Sequence, residues 1–201
     1  SMAEIPSCSI DYVFTDPPYG GTVQYGELNF VWEAWLGLNT RWHGEEIIVN
    51  RSRGKTAQDW ADSMAAAMAE CYRVLKPGRW LSLCYHDSSN TMWRLVQEIM
   101  LKVGFVPGDA VAAPTIDTGS RTYNQRTSDK VVKRDLVVGF RKPRPEESCK
   151  QAIVGKDGEV SFHDKAAQTV RAFLSQHPGA AKDRIYDHLI SVMIRTGPLE
   201  D

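Results

Sequence analysis

The 201-residue sequence predicts a mixed α/β domain with an open, largely parallel sheet, an antiparallel strand at one edge and a small helical tail. Three observations carry that expectation. Short apolar, β-branched or aromatic runs alternate with stretches of helical periodicity. Pro and Gly pairs stop these segments at the points where an α/β chain turns. Finally, 42% hydrophobic and 24% charged residues is ordinary globular composition, enough for one core of domain size.

The elements follow in order. Ile10–Thr15 reads as a buried strand that stops at Asp16, because the Pro17-Pro18 pair cannot continue a central ladder. Residues 28–36 predict a short aromatic-rich helix, and 39–56, polar and Arg-rich, a loop. From 57 to 75 the spacing of Trp60, Met64, Ala67, Met68, Cys71, Tyr72 and Leu75 suits an amphipathic helix, stopped by Lys76-Pro77-Gly78. Trp80–Tyr85 predicts a second strand. Asp87 or Ser88 can cap a helix from 89 to 103, and Gly104 closes it. A third strand is expected within 105–115 and a fourth across 131–141, after the polar connection 117–130. With no helix between them, these two would form a hairpin at one edge. Residues 3–142 thus make one domain, 143–162 a linker, and 163–201 a helical appendage broken at His177-Pro178-Gly179. Its two helices read as a hairpin packed on the sheet, with a helix-turn-helix as the alternative.

Composition excludes several classes. No run of 18 apolar residues exists, so no membrane-spanning helix is expected, and the first residues lack the pattern of a secretory signal. Cys8, Cys71, Cys84 and Cys149 contain no CxxC pair, which argues against a zinc ribbon or a disulfide scaffold and fits a reducing cytoplasm. His43, His163, His177 and His188 show no ligand spacing with them, so no metal is expected. The net charge of −1 identifies no partner, but its distribution is uneven. Residues 1–70 hold ten acids and four bases, whereas 120–150 hold nine bases and four acids. That basic stretch reads either as a phosphate-binding surface or as a solvated loop. Phe30, Trp32, Trp35 and Leu36 read as a face of the hydrophobic core, and Cys84 as a core residue; if left uncovered, the aromatic face would drive self-association. His86, after the second strand, reads as a capping residue or as a wall of the active cleft.

Asp16-Pro17-Pro18-Tyr19 is the segment that carries chemistry. By average residue frequencies it arises by chance in roughly one chain of this length per thousand, and it follows directly on a strand, where open α/β sheets bind ligands. Two prolines stiffen the backbone and remove two N–H donors, leaving an acceptor-rich edge. The Asp16 carboxylate and Pro17 carbonyl could together accept both hydrogens of an exocyclic amino group, turning its nitrogen lone pair outward. Tyr19 offers a flat face for a planar base, worth about 1–3 kcal/mol. Neither a metal nor a covalent nucleophile is required.

This motif resembles that of the S-adenosylmethionine-dependent DNA amino-methyltransferases, which methylate adenine N6 or cytosine N4 and carry Asp-Pro-Pro-Tyr after the fourth strand of their sheet. The resemblance covers residues 8–142. Tyr12-Val13-Phe14-Thr15 matches the strand before the motif, Tyr25–Trp32 is similar to a segment of adenine-specific methylases, Arg73–Gly78 to the helix–turn–strand that follows, and Lys133–Phe140 to the closing edge strand. It implies the C-terminal half of a Rossmann-like methyltransferase sheet acting on DNA. Asp16 and the Pro17 carbonyl would bind the target amino group, Pro18 would hold the turn, and Tyr19 would stack on a flipped base, most readily adenine. It also makes the loop before the last strand a wall of the base pocket, with Arg121, Tyr123, Asn124, Arg126, Lys130, Lys133 and Arg134 as nucleic-acid contacts.

The chain departs from that family in one respect. The glycine-rich turn that seats the methionine part of the cofactor is not found, nor is an acid for its ribose hydroxyls. Gly20-Gly21 follow the motif itself and cannot serve both purposes. The cofactor-binding half is therefore expected to lie outside these residues, before them or, in the permuted arrangement, after them, with the first favoured. The chain alone would not methylate. Two other functions fit the same residues: a guanine-N2 RNA methyltransferase, and a non-catalytic nucleic-acid-binding module that retains the half-fold.

Overall fold

A computed structural model describes residues 2–85, 90–112, 136–147 and 162–196. Four strands form one sheet in the order β1 (Ile10–Thr15), β2 (Leu75–Tyr85), β4 (Leu136–Arg141), β3 (Val106–Ala112). β1 pairs parallel to β2, and β4 runs antiparallel to both β2 and β3. The expected mixed α/β architecture and the antiparallel pairing of β3 with β4 are present, but the antiparallel strand expected at the edge lies inside the sheet, and only β1 and β2 pair in parallel. β4 takes the inner position and β3 the rim, so β1, β2 and β3 all point the same way.

The helices are α1 (Tyr25–Leu36), α2 (Trp42–Glu45), α3 (Ala57–Val74), α4 (Asn90–Val103), α5 (Phe162–Gln176) and α6 (Lys182–Thr196). α3 starts where Thr56 accepts from the Asp59 N–H and the Asp59 side chain answers the Thr56 N–H, a reciprocal cap. Trp60, Met64, Met68 and Cys71 then fall on one stripe and bury against Leu81, Leu83, Tyr85, Val138 and Phe140 of the sheet. α4 brings Trp93, Val96, Ile99 and Met100 to the same core, and α6 adds Ile190 and Met193. Each such side chain contributes about 1.5–3 kcal/mol of burial. The tail pair is a helical hairpin whose second helix packs against α4 and β3.

Lys142 is buried and closes the far end of α3. Its ammonium donates to the carbonyls of Tyr72 and Leu75, both at 2.7 Å, and stands 4.5 Å from the centre of the Tyr72 ring. These carbonyls lie at the helix C-terminus, where no intrahelical donor remains and where a positive charge is favoured.

Several expectations need correction. β1 is not a buried strand. It is the other rim of the sheet, with Tyr12 54% and Phe14 61% exposed and only Val13 packed against the core. α1 begins three residues earlier than expected and does not lie in the core. Phe30, Trp32, Trp35 and Leu36 are all exposed, Trp35 to 84%, and the helix buries only Gly26 and Glu33. The loop expected over 39–56 contains α2 and a turn of 3₁₀ helix at Arg51–Arg53. β2 begins at Leu75 and carries Pro77-Gly78 inside it. The strand absorbs them because β1 shifts register between Ile10 and Tyr12, and Gly78 takes φ +76° while its N–H reaches the Lys142 carbonyl at 2.8 Å. Cys71 and Cys84 are buried and Cys8 is exposed.

Candidate functional site

The site is built outward from the end of β1. Val13 packs against the core, which fixes the strand, and the chain leaves it at Asp16-Pro17-Pro18-Tyr19. Asp16 is exposed, Pro17 is buried, and Pro18 and Tyr19 are half-buried. Two donors converge on the Pro18 carbonyl: the Gly20 N–H at 3.1 Å, from the next tight turn, and the indole Nε1–H of Trp60, also at 3.1 Å. Among the described residues no hydrogen bond ends on the Pro17 carbonyl. The Tyr19 hydroxyl donates to Asp16 Oδ1.

Tyr19 in turn rests on an aromatic cluster. Its ring meets Tyr85 edge-on at 5.3 Å, Tyr85 meets Trp93 edge-on at 5.0 Å, and Trp60 lies tilted against Tyr85 at 6.1 Å. Tyr85 is the last residue of β2, so the carboxyl ends of the two parallel strands meet at this point. Edge-to-face pairs of this kind are worth about 0.5–1.5 kcal/mol beyond the area they bury.

The segment after the motif is locked to the 46–50 strip. Gly20 has φ +55°, and a Cβ on it would stand 3.0 Å from the end of Met92; on Gly21 a Cβ would stand 2.9 Å from the Val49 carbonyl oxygen. The Val49 N–H donates to the Gly20 carbonyl at 3.0 Å, and the Asn50 amide donates to Gln24 Oε1 at 2.8 Å. Both glycines are thus engaged in close chain packing.

Beyond the motif, α1 and α2 form a clasp. Glu46 accepts the Gly26 N–H at 2.8 Å and pairs with Arg53 at 2.8 Å. Arg53 lies over the Trp42 ring at 4.8 Å, and His43 stacks on that ring at 3.9 Å. Burial alone would raise the Glu46 carboxyl, but the Gly26 N–H and the Arg53 guanidinium together hold it below its usual value. The buried Glu33 accepts from Asn29 at 3.2 Å and from the Thr40 hydroxyl. An open groove of about 620 Å³ runs along the clasp between Tyr25, Trp32 and Trp42. Burial raises the Tyr25 phenol, and the negative charge of Asp16 adds to the rise, so Tyr25 stands in the field of the motif.

Of the residues expected at the site, Asp16, Pro17, Pro18 and Tyr19 form one turn at a strand end. Tyr19 is held by its hydroxyl and by Tyr85 rather than standing free. Arg121, Tyr123, Asn124, Arg126, Lys130, Lys133 and Arg134 lie outside the described residues, as does His86. Sequence reasoning missed Trp60, Tyr85 and Tyr25 as neighbours of the motif. Trp60 was legible only as a core position on an amphipathic helix, and nothing in its spacing announced a bond to a carbonyl 42 residues away. Among the described residues no cluster of His, Cys, Asp and Glu could hold a metal ion, and no helix is long and apolar enough to cross a membrane.

No family model matches the chain, and no curated protein does. Among solved structures it is similar to a protein of Thermus thermophilus named provisionally as a DNA modification methylase. Its selenomethionine crystal form is 15% identical with a TM-score of 0.38, over 84% of this chain and 59% of that one. A second crystal structure of the same protein gives 17%, 0.37, 85% and 56%. A third, in complex with S-adenosyl-L-methionine, gives 16%, 0.37, 85% and 55%. The chain therefore spans less than two thirds of the structures it matches, at a level of distant likeness.

Proposed function

We propose that the Asp16–Tyr19 turn receives the exocyclic amino group of a base extruded from DNA, and that the chain is the target-binding half of an S-adenosylmethionine-dependent amino-methyltransferase. One observation supports this reading above the others. The Pro18 carbonyl is doubly occupied, while the Asp16 carboxylate is exposed beside a Pro17 carbonyl that no described donor occupies. An amino group has two hydrogens to place. One goes to a free lone pair of Asp16, which has about four lone-pair sites and gives one to Tyr19. The other goes to the Pro17 carbonyl. With both hydrogens held, the nitrogen lone pair is directed away from the turn, and the Asp16 carboxylate offsets the positive charge that alkylation develops on the nitrogen.

Adenine N6 is the proposed target, by the resemblance of 25–32 to adenine-specific methylases; cytosine N4 would present the same pair of hydrogens. The basic residues Arg121, Arg126, Lys130, Lys133 and Arg134, with Tyr123 and Asn124, are proposed to contact the nucleic acid around it. The methyl donor is proposed to be held by a half that lies outside these residues. Both glycines after the motif are engaged in packing, and β1 has no described neighbour on its outer side, where a further parallel strand can add.

The test is methyl transfer from isotopically labelled S-adenosylmethionine by the full-length gene product, followed by identification of the modified base. Label is expected in duplex DNA as N6-methyladenine, falling about 10- to 150-fold on Asp16→Ala, the worth of hydrogen bonds to a charged group. Label in transfer RNA as a guanine-N2 product, or transfer indifferent to Asp16, would overturn the reading.

A further inference from the structure

We infer that Trp60 is a positioning residue for amino-group recognition, acting through the Pro18 carbonyl; the inference rests on the reading of the Asp16–Tyr19 turn given above. Trp60 is wholly buried, and its indole Nε1–H is within 3.1 Å of the Pro18 oxygen. A buried indole donor must find a partner. This one has found a backbone carbonyl in the candidate site rather than one in its own helix.

The consequence is geometric. A peptide plane turns as a unit, so anchoring the Pro18 oxygen fixes the orientation of the Pro18–Tyr19 peptide. Proline holds φ on the preceding side, which leaves the turn little freedom to rotate the Pro17 carbonyl, on which no described donor ends. The Gly20 N–H alone would hold the Pro18 oxygen through a tight, poorly aligned turn; the indole supplies the second donor from a rigid source. That source is well founded. Trp60 occupies the first turn of α3, directly after the Thr56–Asp59 reciprocal cap, and its ring is wedged against Tyr85, the residue that also supports Tyr19. One side chain therefore couples the helix start, the aromatic support and the acceptor array.

The test compares duplexes carrying a single unpaired adenine with the same duplexes carrying unsubstituted purine, which has hydrogen in place of the amino group. The wild-type chain is expected to prefer adenine. Trp60→Phe, which keeps an aromatic ring but no N–H, is expected to lose about tenfold of that preference while binding the purine duplex as before. A merely structural role would weaken both duplexes alike. If the wild type prefers adenine and Trp60→Phe keeps the full preference, the inference is overturned and the reading of the turn stands. If the wild type shows no preference, the reading fails and the inference with it. Should Trp60→Phe not fold, the wild-type indole resonance of Trp60 decides: the adenine duplex is expected to shift it and the purine duplex to leave it in place, and equal shifts would overturn the inference.

Discussion

Gly26→Ala would open the clasp between α1 and α2. A Cβ at this position would fall 2.1 Å from Cε3 of Trp42 and 2.3 Å from Cδ2. Carbon atoms in ordinary contact are about 3.5–4.0 Å apart, so the ring edge would have to retreat by about 1.5 Å. It has little room to do so, because His43 stacks 3.9 Å from one face and Arg53 sits 4.8 Å from the ring centre. Overpacking of this kind costs about 1–3 kcal/mol. Alanine's better helix propensity returns up to about 1 kcal/mol, and less at the second residue of a helix than in its interior. The steric term wins by about 1–2 kcal/mol, which raises the local opening constant about 5- to 30-fold. Amide hydrogen exchange read by mass spectrometry should show faster exchange over 25–38 and 42–53. The urea midpoint of the whole chain should hardly move, because α1 buries only Gly26 and Glu33. Unchanged or slower exchange in the clasp would refute the steric argument.

Other expectations follow from the same contacts. The Glu46 carboxyl is held below its usual value, so the stability it lends the clasp is present above about pH 4.3 and is lost as the pH falls through the lower folded value; Trp42 fluorescence should report the opening on acidification, and Glu46→Gln should remove that acid transition. Lys142→Met strips the donors from the Tyr72 and Leu75 carbonyls and should cost about 1–3 kcal/mol in urea unfolding, with an unchanged midpoint arguing that water replaces the ammonium. Gly21→Ala sets a methyl group 2.9 Å from the Val49 oxygen and should lower the melting temperature and loosen the motif, whereas a neutral effect would mean the 46–50 strip moves freely. Trp35→Ser should leave unfolding within about 0.5 kcal/mol of wild type because the ring is 84% exposed, while lowering the apparent mass in sedimentation if the α1 face self-associates; an unchanged mass would argue against that role.

What the sequence disclosed was local, and what it withheld was long-range. The stripe from Trp60 to Cys71, the stop at Gly104 and the break at His177-Pro178-Gly179 were readable because periodicity and backbone chemistry act over a few residues. The strand-end position of Asp16–Tyr19 was readable for the same reason, since two successive residues without an N–H donor cannot extend a ladder. The position of β4 between β2 and β3 was not, because a hairpin specifies its own pairing but not which member meets a third strand. The exposure of Trp32, Trp35, Tyr12 and Phe14 was not readable either. Apolar composition states that a surface favours cover, and says nothing of where the cover comes from. The Trp60–Pro18 and Gly21–Val49 contacts join segments far apart in sequence, and only the folded chain brings them together.

A fluorescence-anisotropy titration of a duplex with one unpaired adenine against the wild-type chain and Asp16→Ala tests whether the Asp16–Tyr19 turn receives the amino group. If the turn receives the amino group, Asp16→Ala weakens binding about tenfold or more, as expected for a hydrogen bond to a charged acceptor, and a fully paired duplex is bound equally by both. Equal affinity of the two proteins for the unpaired adenine would contradict the assignment of Asp16–Tyr19 as the target-base site.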